Sequence, residues 1–253
     1  MKRIPYGIYK IMMISETTQK PLVFLVDPKR QIEAVIFDMD GVLVDSIPAH
    51  INAWNLALSE NQLPPLDLGT YSSMLGRTNL SILTGYLDLH AMPLPLSSKK
   101  DIIDTKERFF RGTIRKGIKT TPGVIQWLDF FKKNQILCSV ASSGEMANIV
   151  AVLELLDLSD YFASIISGAH LPASKPDPMV FLLAAASVGV KPHNCLVIED
   201  ALDGIKAAKS AKMLCCALAT TFPPDALKQA DLLLENLSQA DPETLFSDPY
   251  SSF

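Results

Sequence analysis

Short, continuous apolar runs alternate with helical segments along most of the chain. Five such runs occupy residues 33–38, 136–141, 163–167, 195–198 and 213–218. Because these runs are continuous rather than alternating, they are typical of strands covered on both faces, as in a parallel sheet. Helical patterns follow at residues 124–133, 145–156, 177–188 and 202–211. The alternation predicts an α/β fold built on a doubly wound parallel sheet.

One stretch between the first two strands interrupts this rhythm. It contains no strong strand pattern, and helices are predicted at residues 80–89 and 99–116 instead. Ser46 is predicted to cap the first helix of the stretch, and proline-rich segments separate the helices. The sequence thus predicts three parts. They are a sheet domain at residues 31–46 plus 120–253, an inserted α-helical domain at residues 47–119 and an N-terminal extension at residues 1–30.

Composition and charge exclude several classes of function. The chain has 253 residues, of which 48% are hydrophobic, and a net charge of −4. Nucleic-acid binding usually shows as a basic face, which this balance does not provide. No run of about 18 apolar residues is present, so no transmembrane helix is expected. The four cysteines lack C-x-x-C spacing and are predicted to be buried thiols rather than a zinc or redox site.

The N-terminal residues bear on location. Lys10 interrupts the first apolar run and no small-residue cleavage site follows it, so a secretory signal is not expected. We expect a cytoplasmic protein, monomeric or weakly dimeric. An organellar targeting peptide is the alternative, because residues 1–30 carry only Glu16 and Asp27 as acids.

Polar residues follow the predicted strands at their carboxyl ends, where open α/β sheets bind ligands. These residues are Asp38 and Asp40, Ser142, and Glu199 with Asp200; Lys175 lies in a loop before a helix. Two carboxylates two residues apart suit attack on phosphorus and proton transfer, and an adjacent acidic pair suits Mg²⁺. A hydroxyl at a helix N-terminus suits phosphate. Taken singly, each acid or serine is equally explained as a helix or turn cap, and the lysine as a solvated surface residue.

Taken in order, these motifs resemble the haloacid dehalogenase superfamily, in particular its β-phosphoglucomutase-like and phosphoglycolate phosphatase-like branch. The matching segments are residues 38–46, 141–143, 174–178, 198–200 and 204–208. The resemblance implies a Rossmann-like core with an inserted helical cap domain. It also implies a magnesium-dependent enzyme, either a phosphohydrolase or a phosphomutase.

The resemblance assigns a role to each matched residue. Asp38 is expected to attack the substrate phosphorus and form an aspartyl-phosphate, while Asp40 protonates the leaving oxygen and then activates water. Ser142 and Lys175 are expected to hold the phosphoryl oxygens. Mg²⁺ is the expected cofactor, and its expected ligands are Asp38, the backbone carbonyl of Asp40, Asp200 and, directly or through water, Glu199.

Five further residues are candidates for substrate binding. His50 and Trp54 resemble positions of the sugar-phosphomutase branch, and Arg77 resembles a substrate-contacting cap loop. Ser143 belongs to the second motif, and Lys106 is a further cap candidate. A structural role explains His50 equally well, and Trp54 is more typical of a core residue.

Hydrolysis of a small phosphate monoester, such as a phosphosugar, is the leading prediction. The expected partner is therefore a small phosphorylated metabolite, with no nucleic acid and no membrane. Phosphosugar mutase activity is the nearest alternative, since both reactions use the same aspartyl-phosphate. A catalytically silent binding protein on the same fold is a third; such a protein is expected to have lost catalytic acids that this chain retains. Dehalogenase chemistry is disfavoured, because a halide leaves without needing the acid at Asp40.

Overall fold

A six-stranded, all-parallel sheet forms the centre of the computed structural model, which describes residues 32–246. Its strands are β1 (Ala34–Phe37), β2 (Leu137–Ser142), β3 (Ser164–Ser167), β4 (Cys195–Glu199), β5 (Leu214–Leu218) and β6 (Leu232–Leu234). They lie in the order β3-β2-β1-β4-β5-β6. The predicted α/β fold with a doubly wound parallel sheet is confirmed. The predicted N-terminal extension lies outside the described residues.

β1 lies in the middle of the sheet, and all four of its residues are buried. Its side chains alternate between two apolar clusters, with Val35 and Phe37 in one and Ala34 and Ile36 in the other. Both faces of the sheet are therefore covered, which explains the continuous apolar run in the sequence. The register aligns the end of β1 with β2 and β4, so the loops that follow these strands emerge side by side.

Four helices follow β1 before the chain returns to the sheet. They are α1 (Ile47–Glu60), α2 (Leu68–Ser72), α3 (Asn79–Leu89) and α4 (Leu96–Ile114). We call these helices and their connections the cap. A third apolar cluster, which includes Trp54, Leu83 and Tyr86, is formed within this stretch. The end of α4 packs differently, because Phe110 and Ile114 join a cluster beneath the sheet.

The remaining helices flank the sheet. They are α5 (Val124–Lys133), α6 (Met146–Leu155), α7 (Met179–Ser187), α8 (Leu202–Ser210) and α9 (Pro242–Phe246). The four cysteines are buried and form no disulfide, as predicted. Among the described residues, no helix has the length and apolarity needed to cross a membrane.

Two details differ from the sequence predictions. Ser46 occupies the N-cap position of α1, but its side chain makes no capping hydrogen bond; its hydroxyl donates to Asp40 instead. The prediction that the Ser46 side chain caps this helix was therefore wrong. Strand β6 was missed because it has only three residues, which is too short for a periodic pattern.

Candidate active site

Lys175 connects two of the strand-end carboxylates. Its ammonium group donates to Asp38 Oδ1 at 2.7 Å and to Glu199 Oε1 at 2.6 Å. The lysine side chain is completely buried, so it is not a solvated surface residue. A buried ammonium is stabilised only when it is paired and hydrogen-bonded, and here two carboxylates do this. They also raise the pKa of Lys175 against the effect of burial, so it stays charged.

Glu199 is held in place from three directions. Besides Lys175, its carboxylate accepts the backbone N–H groups of Asp200 at 2.8 Å and Ala201 at 2.7 Å. Gly204 in α8 leaves the necessary space, because a Cβ there would overlap the Glu199 carboxylate. This arrangement uses Glu199 to orient Lys175.

Three buried carboxylates meet at the end of the sheet. Oxygens of Asp38, Glu199 and Asp200 all lie within 4.8 Å of one another. Burial first, and the neighbouring acids next, raise the pKa of Asp38 to about 7 despite Lys175. The same two causes raise the pKa of Asp200, although Thr221 donates to it.

This donor set fits Mg²⁺. Hard carboxylate oxygens are the ligands that Mg²⁺ prefers, and a divalent cation relieves the repulsion between crowded acids. Gly41 keeps the site open, since its φ is +79° and a Cβ would overlap the carboxylate of Asp200. Asp40 is not part of this group through its side chain.

Asp40 faces the cap instead. Its Oδ1 accepts hydrogen bonds from the Ser46 hydroxyl and from His50 Nε2, the latter at 3.1 Å. Burial alone would raise the pKa of Asp40, but His50, Ser46 and Lys106 outweigh it and lower the pKa to about 2. Asp38 and Asp40 therefore have pKa values shifted in opposite directions, as is common for paired acids with different catalytic roles.

The orientation of His50 follows from its second nitrogen. Lys106 Nζ lies 2.9 Å from His50 Nδ1, and an ammonium can only donate. Nδ1 therefore accepts, and Nε2 carries the hydrogen that points at Asp40. His50 also stacks on Phe110, with ring centres 3.9 Å apart. The pair of Lys106 and His50 thus positions Asp40 from the cap.

The two serines of the second motif lie at the end of β2. Ser142 is 1% exposed, and its Oγ accepts the N–H of Gly144 at 3.0 Å. Ser143 donates its hydroxyl to the carbonyl of Gly76 in the cap at 2.6 Å. The Ser142 O–H is still available as a donor, and it lies just before the N-terminus of α6, a place that suits phosphate oxygens.

Arg77 and Trp54 have different positions in the cap. Arg77 Nε donates to Asp203 of α8 at 3.0 Å, which joins the cap to the sheet domain beside the cavity. Trp54 lies in the cap core at 1% exposure, and it does not line the cavity. Its ring centre is 5.5 Å from the ammonium group of Lys106, so its contact with the site is indirect.

A small cavity lies between the cap and the sheet. Its volume is about 40 Å³. Its walls are formed by Asp38, Asp40, His50, Tyr71, Leu75, Gly76, Arg77, Asn79, Ile82, Lys106, Glu107, Ser142, Ser143, Gly144 and Asp200. This space holds only a few water molecules, since one water needs roughly 10–15 Å³ of such volume. The space is far smaller than a phosphosugar.

Comparison with known proteins decides the family. The model of the haloacid dehalogenase-like hydrolases matches residues 32–212. This chain belongs to the haloacid dehalogenase-like hydrolase family. The family assignment makes it an enzyme, and it confirms the resemblance drawn from the motifs.

Relatives of this hydrolase include phosphatases and mutases. A phosphorylated carbohydrates phosphatase of Thermotoga maritima is 34% identical over 182 residues, which are 71% of this chain and 81% of the relative. A β-phosphoglucomutase of Bacillus subtilis is 30% identical over 220 residues, or 85% of this chain and 95% of the relative. The crystal structure of a β-phosphoglucomutase from Clostridium difficile superposes with a TM-score of 0.79 at 28% identity, covering 85% of this chain and 96% of that one.

The hydrolase site also contains polar residues that the sequence did not single out. Glu107 and Asn79 line the cavity, Asn148 donates to Glu107 from α6, and Thr221 donates to Asp200. One signal was available: Lys106 and Glu107 lie at helical spacing from apolar residues, on a face that should be buried. The other contacts join residues that are far apart in the chain, and no local pattern indicates them.

Proposed function

We propose that this hydrolase is a Mg²⁺-dependent phosphatase that acts on a small phosphate monoester, with phosphosugars as the substrate class. One observation carries the proposal. A buried carboxylate, Asp38, lies 2.7 Å from the ammonium of Lys175 and beside two further buried acids, while a second carboxylate, Asp40, is held separately by the cap. The phosphatase among the relatives supports the substrate class.

The first half-reaction uses the two aspartates in turn. A carboxylate oxygen of Asp38 attacks phosphorus, and the bond between phosphorus and the ester oxygen breaks with its electron pair going to that oxygen. Asp40 gives this oxygen a proton, so it leaves as an alcohol. Asp40 first takes that proton from solvent, because a bound phosphate dianion raises the pKa of a nearby carboxyl group. Mg²⁺, when held by Asp38 and Asp200, supplies positive charge beside the phosphoryl oxygens.

The second half-reaction returns the enzyme to its starting state. Asp40 removes a proton from a water molecule, which attacks phosphorus and breaks its bond to the Asp38 oxygen. Inorganic phosphate leaves, and Asp40 returns its proton to solvent. Lys175 and Ser142 are placed to hold the phosphoryl oxygens during both steps, since phosphoryl transfer depends mainly on positioning and charge neutralisation.

Phosphomutase activity is the second candidate, favoured by the similarity to the two β-phosphoglucomutases. The two reactions differ in whether water or a sugar hydroxyl takes the phosphoryl group from Asp38. Incubation with Mg²⁺, β-glucose 1-phosphate and a trace of glucose 1,6-bisphosphate separates them. Glucose 6-phosphate as the product indicates a mutase, and inorganic phosphate indicates a phosphatase.

Chelation tests the enzymatic proposal against a silent binding protein. We expect phosphate release from a panel of phosphorylated metabolites in the presence of Mg²⁺ and a large loss of it with EDTA. Equal rates in both conditions would contradict the metal's role. No release from any ester would favour the binding protein.

The Asp40→Asn variant is expected to lower kcat by roughly 10²–10⁴-fold. The amide keeps the shape of the side chain but transfers no proton to the leaving oxygen. The measurement is kcat with and without the substitution, and Asp45→Asn, an exposed aspartate of the same motif, serves as the matched control with kcat unchanged. An unaltered kcat in Asp40→Asn would assign the proton transfer to another group.

Magnesium is expected to stabilise the protein more at pH 8 than at pH 5. In the folded, metal-free protein the pKa of Asp38 rises from 3.8 to about 7, so the stability linked to this group is greatest below pH 4 and is lost as the pH rises through 7. Mg²⁺ compensates for that loss, because it binds the ionised carboxylates. At about 100 times its Kd, Mg²⁺ should raise Tm by about 5–10 °C at pH 8.

Differential scanning calorimetry with and without MgCl₂ at the two pH values measures this effect. Asp200→Asn should remove the rise in Tm at pH 8, whereas Asp160→Asn, an exposed aspartate, should retain it. A rise that is equal at both pH values would show that these carboxylates do not hold the metal.

A further inference from the structure

Carboxylates of the protein engage the cations on the cap side of the cavity. Two cations line it, and each has a carboxylate of the protein beside it: Lys106 donates to Glu107 at 2.7 Å, and Arg77 donates to Asp203 at 3.0 Å. Within residues 32–246, no other lysine or arginine belongs to the cavity wall. A second phosphate on this side of the cavity would therefore compete with Glu107 and Asp203 for these two cations.

Glu107 places a negative charge in the cavity wall itself. It is 4% exposed and accepts hydrogen bonds from Lys106, from Asn79 at 2.7 Å and from Asn148. Burial alone would raise the pKa of Glu107, but Lys106 and Asn148 lower it below its usual value. The carboxylate is therefore ionised at neutral pH, and these three donors, with Arg111 4.0 Å away, keep it facing the same way.

An ionised carboxylate in this position disfavours the binding of a phosphate but not that of a hydroxyl group. A second phosphate would need Lys106, which Glu107 already holds, and repulsion between the two anions is weakly screened in a cavity that excludes bulk water. Hydroxyl groups carry no such penalty. The guanidinium of Arg77 has donors besides the Nε–H that Asp203 uses, and the Ser143 oxygen can accept a hydroxyl hydrogen.

We propose that Glu107 makes the site selective for substrates with a single phosphate on a neutral, hydroxyl-bearing group. This inference rests on the proposed phosphatase function and favours it over the mutase. In a mutase, a sugar hydroxyl attacks the phosphorus on Asp38, gives its proton to Asp40 and breaks the bond to the Asp38 oxygen. The product is a bisphosphate whose second phosphate lies on the cap side, against Glu107.

The test compares matched pairs of esters that differ by one phosphate. The pairs are fructose 1-phosphate with fructose 1,6-bisphosphate, and glucose 6-phosphate with glucose 1,6-bisphosphate, each with saturating Mg²⁺. For the pair that is turned over best, wild-type kcat/KM should favour the monophosphate by at least about 10-fold. A ratio near one would overturn the inference and leave the phosphatase proposal intact.

The Glu107→Gln variant assigns the selectivity to this residue. Glutamine keeps the size and most hydrogen bonds but removes the charge, so the ratio should fall by about 10-fold or more. Glu154→Gln, an exposed glutamate on α6, is the matched control and should leave the ratio unchanged. If Glu107 serves only to position Lys106, both esters will lose kcat/KM in equal proportion, and the inference is overturned.

Inhibition provides a second readout that does not need the variant. Against wild-type turnover of the monophosphate, the bisphosphate should inhibit with a Ki at least about 10-fold above the KM of the monophosphate. A Ki at or below that KM overturns the inference even if Glu107→Gln does not fold. Phosphate release from none of the four esters, or from any wider panel, overturns the proposed function and this inference with it.

Discussion

Asp38→Asn is expected to lower kcat by at least about 10⁴-fold, the largest loss of activity among the substitutions considered. An amide does not form the acyl-phosphate, so the reaction loses its first covalent step. Lys175 retains Glu199 at 2.6 Å, so the fold should survive the change. The measurement is kcat at saturating substrate and Mg²⁺, with Tm as the check on folding.

The control for this prediction is Asp160→Asn, which makes the same chemical change on the surface and should leave kcat unaltered. Binding provides a second comparison. Because Lys175 and Ser142 are unchanged, Asp38→Asn should still bind the monophosphate ester at saturating Mg²⁺. A folded variant that keeps more than about a tenth of wild-type kcat would rule out Asp38 as the nucleophile.

Lys175→Met is expected to cause the largest loss of stability, about 3–5 kcal/mol in the free energy of unfolding. The substitution keeps the apolar stem of the side chain but leaves Asp38 and Glu199 buried without their shared cation. For a protein of this size, Tm should fall by roughly 6–20 °C. Thermal unfolding in EDTA measures the effect without a contribution from metal.

A surface lysine provides the control for this second prediction. Lys133 pairs with Glu243 at 3.0 Å, but both side chains are more than half exposed, and such pairs contribute about 0–1 kcal/mol. Lys133→Met should therefore change Tm by only a few degrees at most. Equal losses in the two variants would show that the Lys175 pairs contribute no more than a surface pair does.

The sheet and its strand ends could be predicted because their signals are local. Each central strand is a continuous apolar run, and the polar residue after it is read directly from the sequence, as for Asp38 after β1 and Glu199 at the end of β4. Topology then brings these ends together without further information from the side chains. The helices of the cap were also visible, apart from the five-residue α2.

The connections between side chains could not be predicted in the same way. The burial of Lys175 has no local signal, since a lysine flanked by serine and proline in a polar loop looks like a surface residue. The contact between Glu107 of the cap and Asn148 of α6 spans 41 positions in the chain. Ser46 was misassigned because a serine at this position suits two roles equally well. Its side chain can cap α1, or it can donate a hydrogen bond to Asp40, and the sequence does not distinguish them.

Trp54 lies in a different environment from the one that the family resemblance suggested. The match to a family position suggested a substrate contact, but the structure places the ring in the cap core behind Lys106. Its apolar surface packs with the cap helices, as aromatic residues at helical spacing usually do. Lys106, which the Trp54 ring contacts, is the residue that lines the cavity.

Chemical trapping of the phosphorylated enzyme tests the covalent role of Asp38 most directly. The wild-type protein is mixed with the best monophosphate ester and Mg²⁺, quenched during turnover, and reduced with borohydride, which converts an aspartyl-phosphate to homoserine. Peptide mass spectrometry then locates the change. We expect homoserine at position 38 alone; homoserine at position 40, or none while phosphate is being released, would contradict the proposed mechanism.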